Sequence, residues 1–152
     1  DIIDAALAMP GADDLWLLVN RAQAVQAFLR TDDGENLVQG FKRANNILSQ
    51  AEAADGVEYS FGANPDYAEV PEETALFAAL DTANAAIKPA MAIEDFELAM
   101  SAMAQMRAPI DAFFEAVQVN SDNDVLRRKR MNLLSAILTT VMQVADLGRV
   151  SG

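Results

Sequence analysis

Apolar residues recur at intervals of three or four positions through most of this 152-residue chain. One such stripe consists of Leu37, Phe41, Ala44 and Leu48, which share one face of a helix that turns about 100° per residue. No stretch alternates for long between apolar and polar residues, as a half-buried strand would. Hydrophobic residues make up 52% of the chain, and the abundant Ala, Leu and Met lose little side-chain freedom in a helix. The sequence therefore predicts an all-α protein.

The pattern divides into six or seven helical segments separated by Gly, Pro and polar turns. Their expected bounds are Asp1–Met9, Asp13–Leu29, Glu35–Ala53, Pro71–Lys88, Asp95–Arg107, Pro109–Val117 and Asp122–Leu147. Residues 31–34 are expected to form a turn, Pro89 to disturb the fourth helix, and Ser121 with Asp124 to form a capping box at the start of the last one. A chain of this length suits one domain, so we predict a single helical bundle of six to seven helices over residues 1–152.

The helical pattern lapses between residues 55 and 70, where two glycines and an Asn-Pro pair interrupt it. These residue types favour turns and loops. We predict an internal loop at 55–70, with the aromatic side chains of Tyr59, Phe61 and Tyr67 packing it against the rest of the protein.

The chain contains neither Cys nor His. This composition excludes thiol nucleophiles, imidazole general bases and zinc sites built from Cys and His. It also contains no Gly-rich phosphate loop, so we predict no catalytic centre and no metal site within these residues. The lack of Cys fits a cytoplasmic protein, and no apolar run approaches the roughly 20 residues that would span a membrane.

The charge balance argues against nucleic acid as a partner at first sight. Eleven basic residues face 23 acidic ones, giving a net charge of −12, and a strongly acidic surface repels phosphate. The positive charges are nevertheless clustered. Four of the eleven occupy consecutive positions in 127–130, and two more are adjacent at Lys42 and Arg43.

The helix that contains Phe41 has a polar face opposite its apolar stripe. Gln39, Lys42, Arg43 and Asn46 occupy this face at helical spacing, and no acid lies among them. Amide and guanidinium groups suit base edges and phosphates. An ordinary solvated face has the same pattern, and the pattern alone favours that interpretation.

The basic run lies on the last predicted helix. Arg130 falls in the middle of the apolar stripe of that helix and Arg127 at its edge, whereas the two residues between them point away. A buried guanidinium must be paired, because an unpaired buried charge is very costly. Arg130 is therefore either part of a structural ion pair, with Asp111 or Asp124 as candidate partners, or a groove-lining RNA contact, and the structural interpretation is slightly favoured.

Phe113 and Phe114 form a pair of adjacent aromatics before that helix. Single-stranded RNA is often read by stacking of bases on aromatic side chains. Adjacent residues of a helix face about 100° apart, so at most one of the two is expected to be exposed. The pattern favours the simpler interpretation that both belong to the core.

Several motifs, taken together and in order, resemble one known family. They are residues 108–119 (APIDAFFEAVQV), the tetrapeptide Asp124-Val125-Leu126-Arg127, and Arg130 followed by Leu133-Leu134. This combination resembles the DALR anticodon-binding domain, which arginyl-tRNA synthetases share with the beta subunit of the bacterial glycyl-tRNA synthetase. The opening residues 1–7, the segment 42–48 and the segment 144–147 are more similar to the glycyl beta subunit, so the resemblance covers nearly the whole chain.

The resemblance implies a helical bundle that binds the anticodon stem-loop of glycine tRNA, with residues 1–10 belonging to the end of a preceding connecting region. It implies a parent glycine–tRNA ligase of two alpha and two beta subunits, in which ATP and magnesium bind outside this domain. The candidate tRNA-binding residues are Gln39, Lys42, Arg43, Asn46, Arg127, Arg128, Lys129 and Arg130. The alternatives are a structural helical module that mediates subunit assembly and the equivalent domain of an arginyl-tRNA synthetase.

Overall fold

A computed structural model of the chain describes residues 15–59, 69–119 and 121–144. Every regular element among these residues is an α-helix, which confirms the all-α prediction. The six helices are α1 (Leu15–Leu29), α2 (Asp32–Asp55), α3 (Pro71–Ala92), α4 (Phe96–Ala104), α5 (Arg107–Ala116) and α6 (Asp124–Met142). The predicted first helix, the aromatics Phe61 and Tyr67, and the predicted end of the last helix at Leu147 lie outside the described residues.

The helices pack as a bundle around one continuous core. Helix α3 packs against α4, α5 and α6, while α2 packs against α1, α5 and α6. The stripe of Leu37, Phe41, Ala44 and Leu48 is buried as predicted. The predicted stripes of α3 and α4 are buried too, and so are Leu133, Ile137, Val141 and Val144. The period of the apolar residues therefore identified the inward face of each of these helices.

Helix α2 begins three residues earlier than predicted, at Asp32 instead of Glu35. The Thr31 hydroxyl caps it by accepting a hydrogen bond from the Gly34 amide at 3.0 Å, and it also donates to the Phe28 carbonyl at 2.6 Å. Residues 31–34 are thus a capped helix start. A Cβ atom on Gly34 would lie 2.0 Å from the Phe28 carbonyl oxygen, so only glycine allows α1 and α2 to meet so closely.

Two prolines act differently from the sequence-based expectation. Helix α3 continues through Pro89 to Ala92, so the predicted end at Lys88 was wrong. Proline deprives the carbonyl four residues earlier of its helical donor, but Ala85 and Pro89 are both exposed and water can reach that carbonyl. Helix α5 in turn starts before Pro109, at Arg107.

Helix α6 begins with an asparagine cap. The Asn123 side chain accepts hydrogen bonds from the amides of Val125 and Leu126 at 3.0 and 3.2 Å. Ser121 accepts instead from the Asn123 amide at 3.2 Å, so the predicted capping box of Ser121 and Asp124 was wrong. Asparagine competes well for this position because its short side chain reaches the free amides of the first turn. The cap places the basic run in the first two turns of α6.

No helix in the described part of the chain is both long enough and apolar enough to cross a membrane. Tyr59, at the start of the predicted 55–70 loop, is buried. Tyr59 therefore packs against the rest of the protein, as predicted for the aromatic residues of this loop.

Candidate nucleic-acid interface

A groove of about 470 Å³ lies between α2, α6 and the segment that links α5 to α6. We call it the α2–α6 groove. Its floor is apolar and buried, and consists of Ala51, Val117, Val119 and Met131. Its rim carries Arg43, Gln50, Gln118 and Arg127, with Ile47 and Ala54 beside them. The groove thus combines an apolar surface with two guanidinium and two amide groups.

Arg43 separates this groove from a smaller depression of about 190 Å³. The guanidinium carbon of Arg43 lies 4.5 Å from the centre of the Phe114 ring, a cation–π distance. Phe114 lies in the smaller depression together with Gln39. Phe113 is fully buried, whereas Phe114 is partly exposed, so only one of the two phenylalanines belongs wholly to the core.

Arg127 is held at the rim by two groups from the C-terminal end of α2. Its guanidinium donates to the Asp55 carboxylate and, at 3.3 Å, to the Tyr59 hydroxyl. That hydroxyl also donates to Asp55, and the Tyr59 amide donates to the Glu52 carboxylate at 2.9 Å. The cluster therefore joins α2, the residues that follow it, and α6.

These contacts change the acid–base properties of the cluster. The hydrogen bond from Tyr59, followed by the one from Arg127, lowers the pKa of the Asp55 carboxyl. The same carboxylate raises the pKa of the Tyr59 hydroxyl and that of the Arg127 guanidinium. A carboxylate that accepts hydrogen bonds is favoured in its charged form. Arg127 is consequently a fixed and partly neutralised cation.

Arg130 is buried and paired. Its Nε and Nη2 atoms donate to Glu73 Oε1, each at 3.3 Å, and its Nη1 atom donates to the Gln118 carbonyl at 2.7 Å. Of the two interpretations left open by the sequence, this is the structural ion pair. The expected partners Asp111 and Asp124 were wrong, because α3 places Glu73 against α6. Asp111 lies instead 3.4 Å from the Nε atom of Arg107.

The remaining candidates differ in their pairing. Lys129 lies 3.9 Å from a Glu69 carboxylate oxygen, a distance at which an ion pair between partly exposed groups is weak. Lys42, Arg43 and Arg128 make no ion pair with any residue in the described part of the chain. No acid among the described residues neutralises these three cations.

The structure brings some of the eight candidates together and separates others. Gln39, Arg43 and Asn46 are exposed and Lys42 is half-buried, all on the predicted polar face of α2. Arg43 and Arg127 border one groove, although they are distant in sequence. Lys42, Asn46, Arg128 and Lys129 border neither depression. Arg128 is exposed beside Arg127 on α6. Whether any of the eight contacts RNA stays a prediction.

Sequence reasoning missed Gln50 and Gln118 on the rim of the groove. Gln50 continues the series 39, 43 and 46 at helical spacing, and that signal was available in the sequence. Gln118 lies in a short non-helical segment, for which no periodic pattern exists. Its place at the groove depends on how that segment packs between α2 and α6.

Within residues 15–59, 69–119 and 121–144, no group of three or more carboxylate, imidazole or thiolate residues is arranged to hold a metal ion. The described residues offer instead a rigid helical scaffold with guanidinium and amide groups around an apolar groove. Such groups recognise nucleic-acid bases and phosphates. Fold and groove together define an all-helical module whose surface carries residue types that contact nucleic acids.

Comparison with known families identifies the module. The family model described as "DALR anticodon binding domain" matches residues 37–147, and the chain belongs to this family. The chain is 70% identical over 152 residues to a "Glycine--tRNA ligase beta subunit" of Cereibacter sphaeroides. It is 67% identical to the protein of that name from Dinoroseobacter shibae and 44% identical to the one from Rhodospirillum centenum. Each match covers all of this chain but only 21–22% of the relative.

Proposed function

We propose that this domain recognises the anticodon stem-loop of glycine tRNA as part of the beta subunit of a glycyl-tRNA synthetase. It would hold the tRNA while glycine is attached to the distant acceptor end. The observation that carries this proposal is the match of the DALR family model to residues 37–147. The names of the relatives support the glycyl enzyme over the arginyl one.

The chemistry of the exposed α2 face and the α2–α6 groove supports the same proposal. Lys42, Arg43 and Arg128 keep their charge on a chain whose net charge is −12. Surface cations without an acidic partner attract phosphate within about one Debye length, roughly 8–10 Å at physiological salt. The acidic remainder of the surface is tolerable if other parts of a larger assembly supply further attraction to the tRNA.

The parent protein follows from the same proposal. It would be one beta chain of a synthetase with two alpha and two beta subunits, located in the cytoplasm. ATP, magnesium and glycine would bind elsewhere in the assembly, mainly on the alpha subunit, as the family resemblance implies. The role of the domain in the ATP-dependent reaction is then to position the tRNA.

A charge-reversal experiment tests the RNA contact. Changing Arg43 and Arg128 together to Glu in the assembled synthetase should weaken binding of glycine tRNA and reduce the salt dependence of the affinity. Arg30 and Lys88 provide a matched control, since both are exposed and neither lies on the helices α2 and α6 that carry Arg43 and Arg128. Their double change to Glu alters the net charge equally. Equal losses in the two double variants would mean that the effect is a general electrostatic one and that the proposed contacts are wrong.

Footprinting locates the contact on the tRNA. Glycine tRNA bound to the assembled synthetase should show protection of the anticodon loop. That protection should disappear when this domain is deleted, whereas protection of the acceptor end should remain. Protection of the anticodon loop that survives deletion would assign anticodon recognition to another part of the enzyme.

The observed ion pairs also favour a second function, a structural module for subunit assembly. Arg127, Lys129 and Arg130 each contact an acid of this same chain, so three of the four residues in the basic run are engaged within the bundle. A module of this kind would capture the alpha subunit in a pull-down and would show no measurable affinity for tRNA. Loss of tRNA binding on deletion of the domain, with the alpha and beta subunits still assembled, contradicts that alternative.

A further inference from the structure

We propose that the α2–α6 groove accepts one unpaired nucleobase and that the side-chain amides of Gln50 and Gln118 read the edge of this base. The proposal rests on the proposed function, because it deepens the recognition of an RNA loop to a particular site. It also assigns specificity to two residues that are not among the eight candidates named from the sequence.

The size and floor of the groove suit a planar aromatic ring. Its volume of about 470 Å³ lies within the roughly 300–1,000 Å³ typical of small-molecule sites. Ala51, Val117, Val119 and Met131 form a floor of buried apolar side chains. A base that leaves the stack of its loop loses contact with its neighbours, and an apolar floor offers replacement contacts.

Arg43 supplies a flat surface at one side of the groove. The Phe114 ring lies 4.5 Å from its guanidinium carbon and belongs to the smaller depression on the other side of Arg43. The guanidinium carbon thus lies over an aromatic ring, while the residue still borders the groove. Guanidinium planes stack on bases, so a base in the groove would extend the series formed by Phe114 and Arg43.

Gln50 and Gln118 provide the groups that distinguish one base from another. Both residues are exposed at the rim, and a glutamine amide offers two donors and an acceptor. Neither side chain forms a hydrogen bond within residues 15–59, 69–119 and 121–144. Both amides are therefore available for the Watson–Crick edge of an unpaired base.

Two buried or clustered contacts keep this rim in place. The Arg130 guanidinium, anchored by Glu73, holds the Gln118 carbonyl at 2.7 Å. Asp55 and Tyr59 fix Arg127, another residue of the rim. A pre-formed site binds more tightly than one that must be ordered on binding.

A larger cleft of about 720 Å³ lies between α1 and α4, but it does not suit RNA. Four acids line it, namely Asp33, Glu94, Asp95 and Glu97, and no Lys or Arg among the described residues does. Acidic walls repel phosphate. This cleft is the larger of the two, but the cations and amide groups of the α2–α6 groove make the groove the better site for RNA.

The test fills the groove without changing any charge. Ala54 is exposed and borders the groove, whereas its neighbour Ala53 is exposed on the same helix and does not. We expect Ala54→Leu in the assembled synthetase to weaken binding of glycine tRNA at least about fivefold, the low end of the effect of losing one stacked base. Ala53→Leu should bind as the native enzyme does. Both variants should have the native melting temperature.

A modified tRNA identifies the base. Glycine tRNA with a single abasic site, placed at each anticodon-loop position in turn, should lose affinity for the native enzyme at one position in particular. At that position the Ala54→Leu enzyme should show no further loss, because its groove is already blocked. Gln50→Ala and Gln118→Ala should bind the native tRNA more weakly but discriminate less between base substitutions at the same position.

The outcomes separate the two proposals. If native enzyme protects the anticodon loop and Ala54→Leu binds like Ala53→Leu, the nucleobase site is wrong and the proposed function stands. If every abasic position weakens tRNA binding equally in Ala54→Leu and Ala53→Leu, the nucleobase site is likewise wrong. If the native enzyme shows no domain-dependent contact with the anticodon loop, both proposals fall together.

Discussion

The buried ion pair between Glu73 and Arg130 makes a sharp prediction about stability. The Glu73 side chain is 4% exposed and that of Arg130 is 10% exposed. Changing Glu73 to Ala leaves the guanidinium with the Gln118 carbonyl as its remaining acceptor. Removing one partner of a buried pair costs about 3–5 kcal/mol. That is a large part of the roughly 5–15 kcal/mol by which a domain is stable.

The expected change in melting temperature follows from that cost. For a domain of about 150 residues, each kcal/mol lowers the melting temperature by roughly 2–4 °C, so Glu73→Ala should lower it by about 6–20 °C. Thermal unfolding followed by circular dichroism measures this shift. Glu69→Ala is the matched control, because it removes an acid from the more exposed pair with Lys129 and should cost less than about 1 kcal/mol.

A double variant separates the charge from the volume of the pair. Glu73→Leu combined with Arg130→Met replaces both ions by apolar side chains, and such replacements are often neutral or stabilising. We expect most of the stability lost in Glu73→Ala to return. A Glu73→Ala protein that unfolds at the same temperature as Glu69→Ala would refute the reasoning. It would mean that Arg130 is accessible to solvent and to RNA.

Three further predictions concern local features. Gly34→Ala should destabilise the chain by more than about 2 kcal/mol in urea unfolding, because the new Cβ atom meets backbone atoms. Gly40→Ala is the control, because its Cβ meets one side-chain methyl at 3.1 Å, and its stability should lie within about 1 kcal/mol of native. Similar losses of stability in the two variants would contradict this account. Asn123→Ala removes the cap of α6 and should cost about 1 kcal/mol, measured in the same way. The pKa of Asp55 is lowered in the folded protein. Its contacts with Tyr59 and Arg127 therefore contribute their full stability above the pKa of the unfolded chain, about 3.9. This contribution is lost as the pH falls through the lower pKa of the folded state. Native protein should therefore lose stability below about pH 4 more steeply than Asp55→Asn, and parallel curves would contradict this.

The basic run shows how pairing changes the meaning of a sequence motif. Four consecutive cations at 127–130 suggest a phosphate-binding patch, yet Arg130 is buried against Glu73 and Arg127 is fixed by Asp55. Arg128 retains its charge at the surface, as does Arg43 on α2. The candidate interface therefore has fewer unpaired cations than the sequence suggested, and it depends more on the shape of the groove and on its amide groups.

The sequence by itself determined the helical class and the inward face of the helices, for example the stripe from Leu37 to Leu48 on α2. It also determined the polar face that contains Arg43, because side chains three and four positions apart share a face in any helix. These properties are local. They depend on residues within one or two helical turns, so the spacing of apolar and polar residues predicts them directly.

Only the tertiary structure decided which side chains meet. Arg127 and Asp55 are 72 positions apart, and Arg130 and Glu73 are 57 apart. No periodicity links such positions, because their contact depends on how α2, α3 and α6 are oriented against one another. The same packing places Gln118 at the α2–α6 groove. A site assembled from several helices therefore became visible only when those helices were packed around a common core.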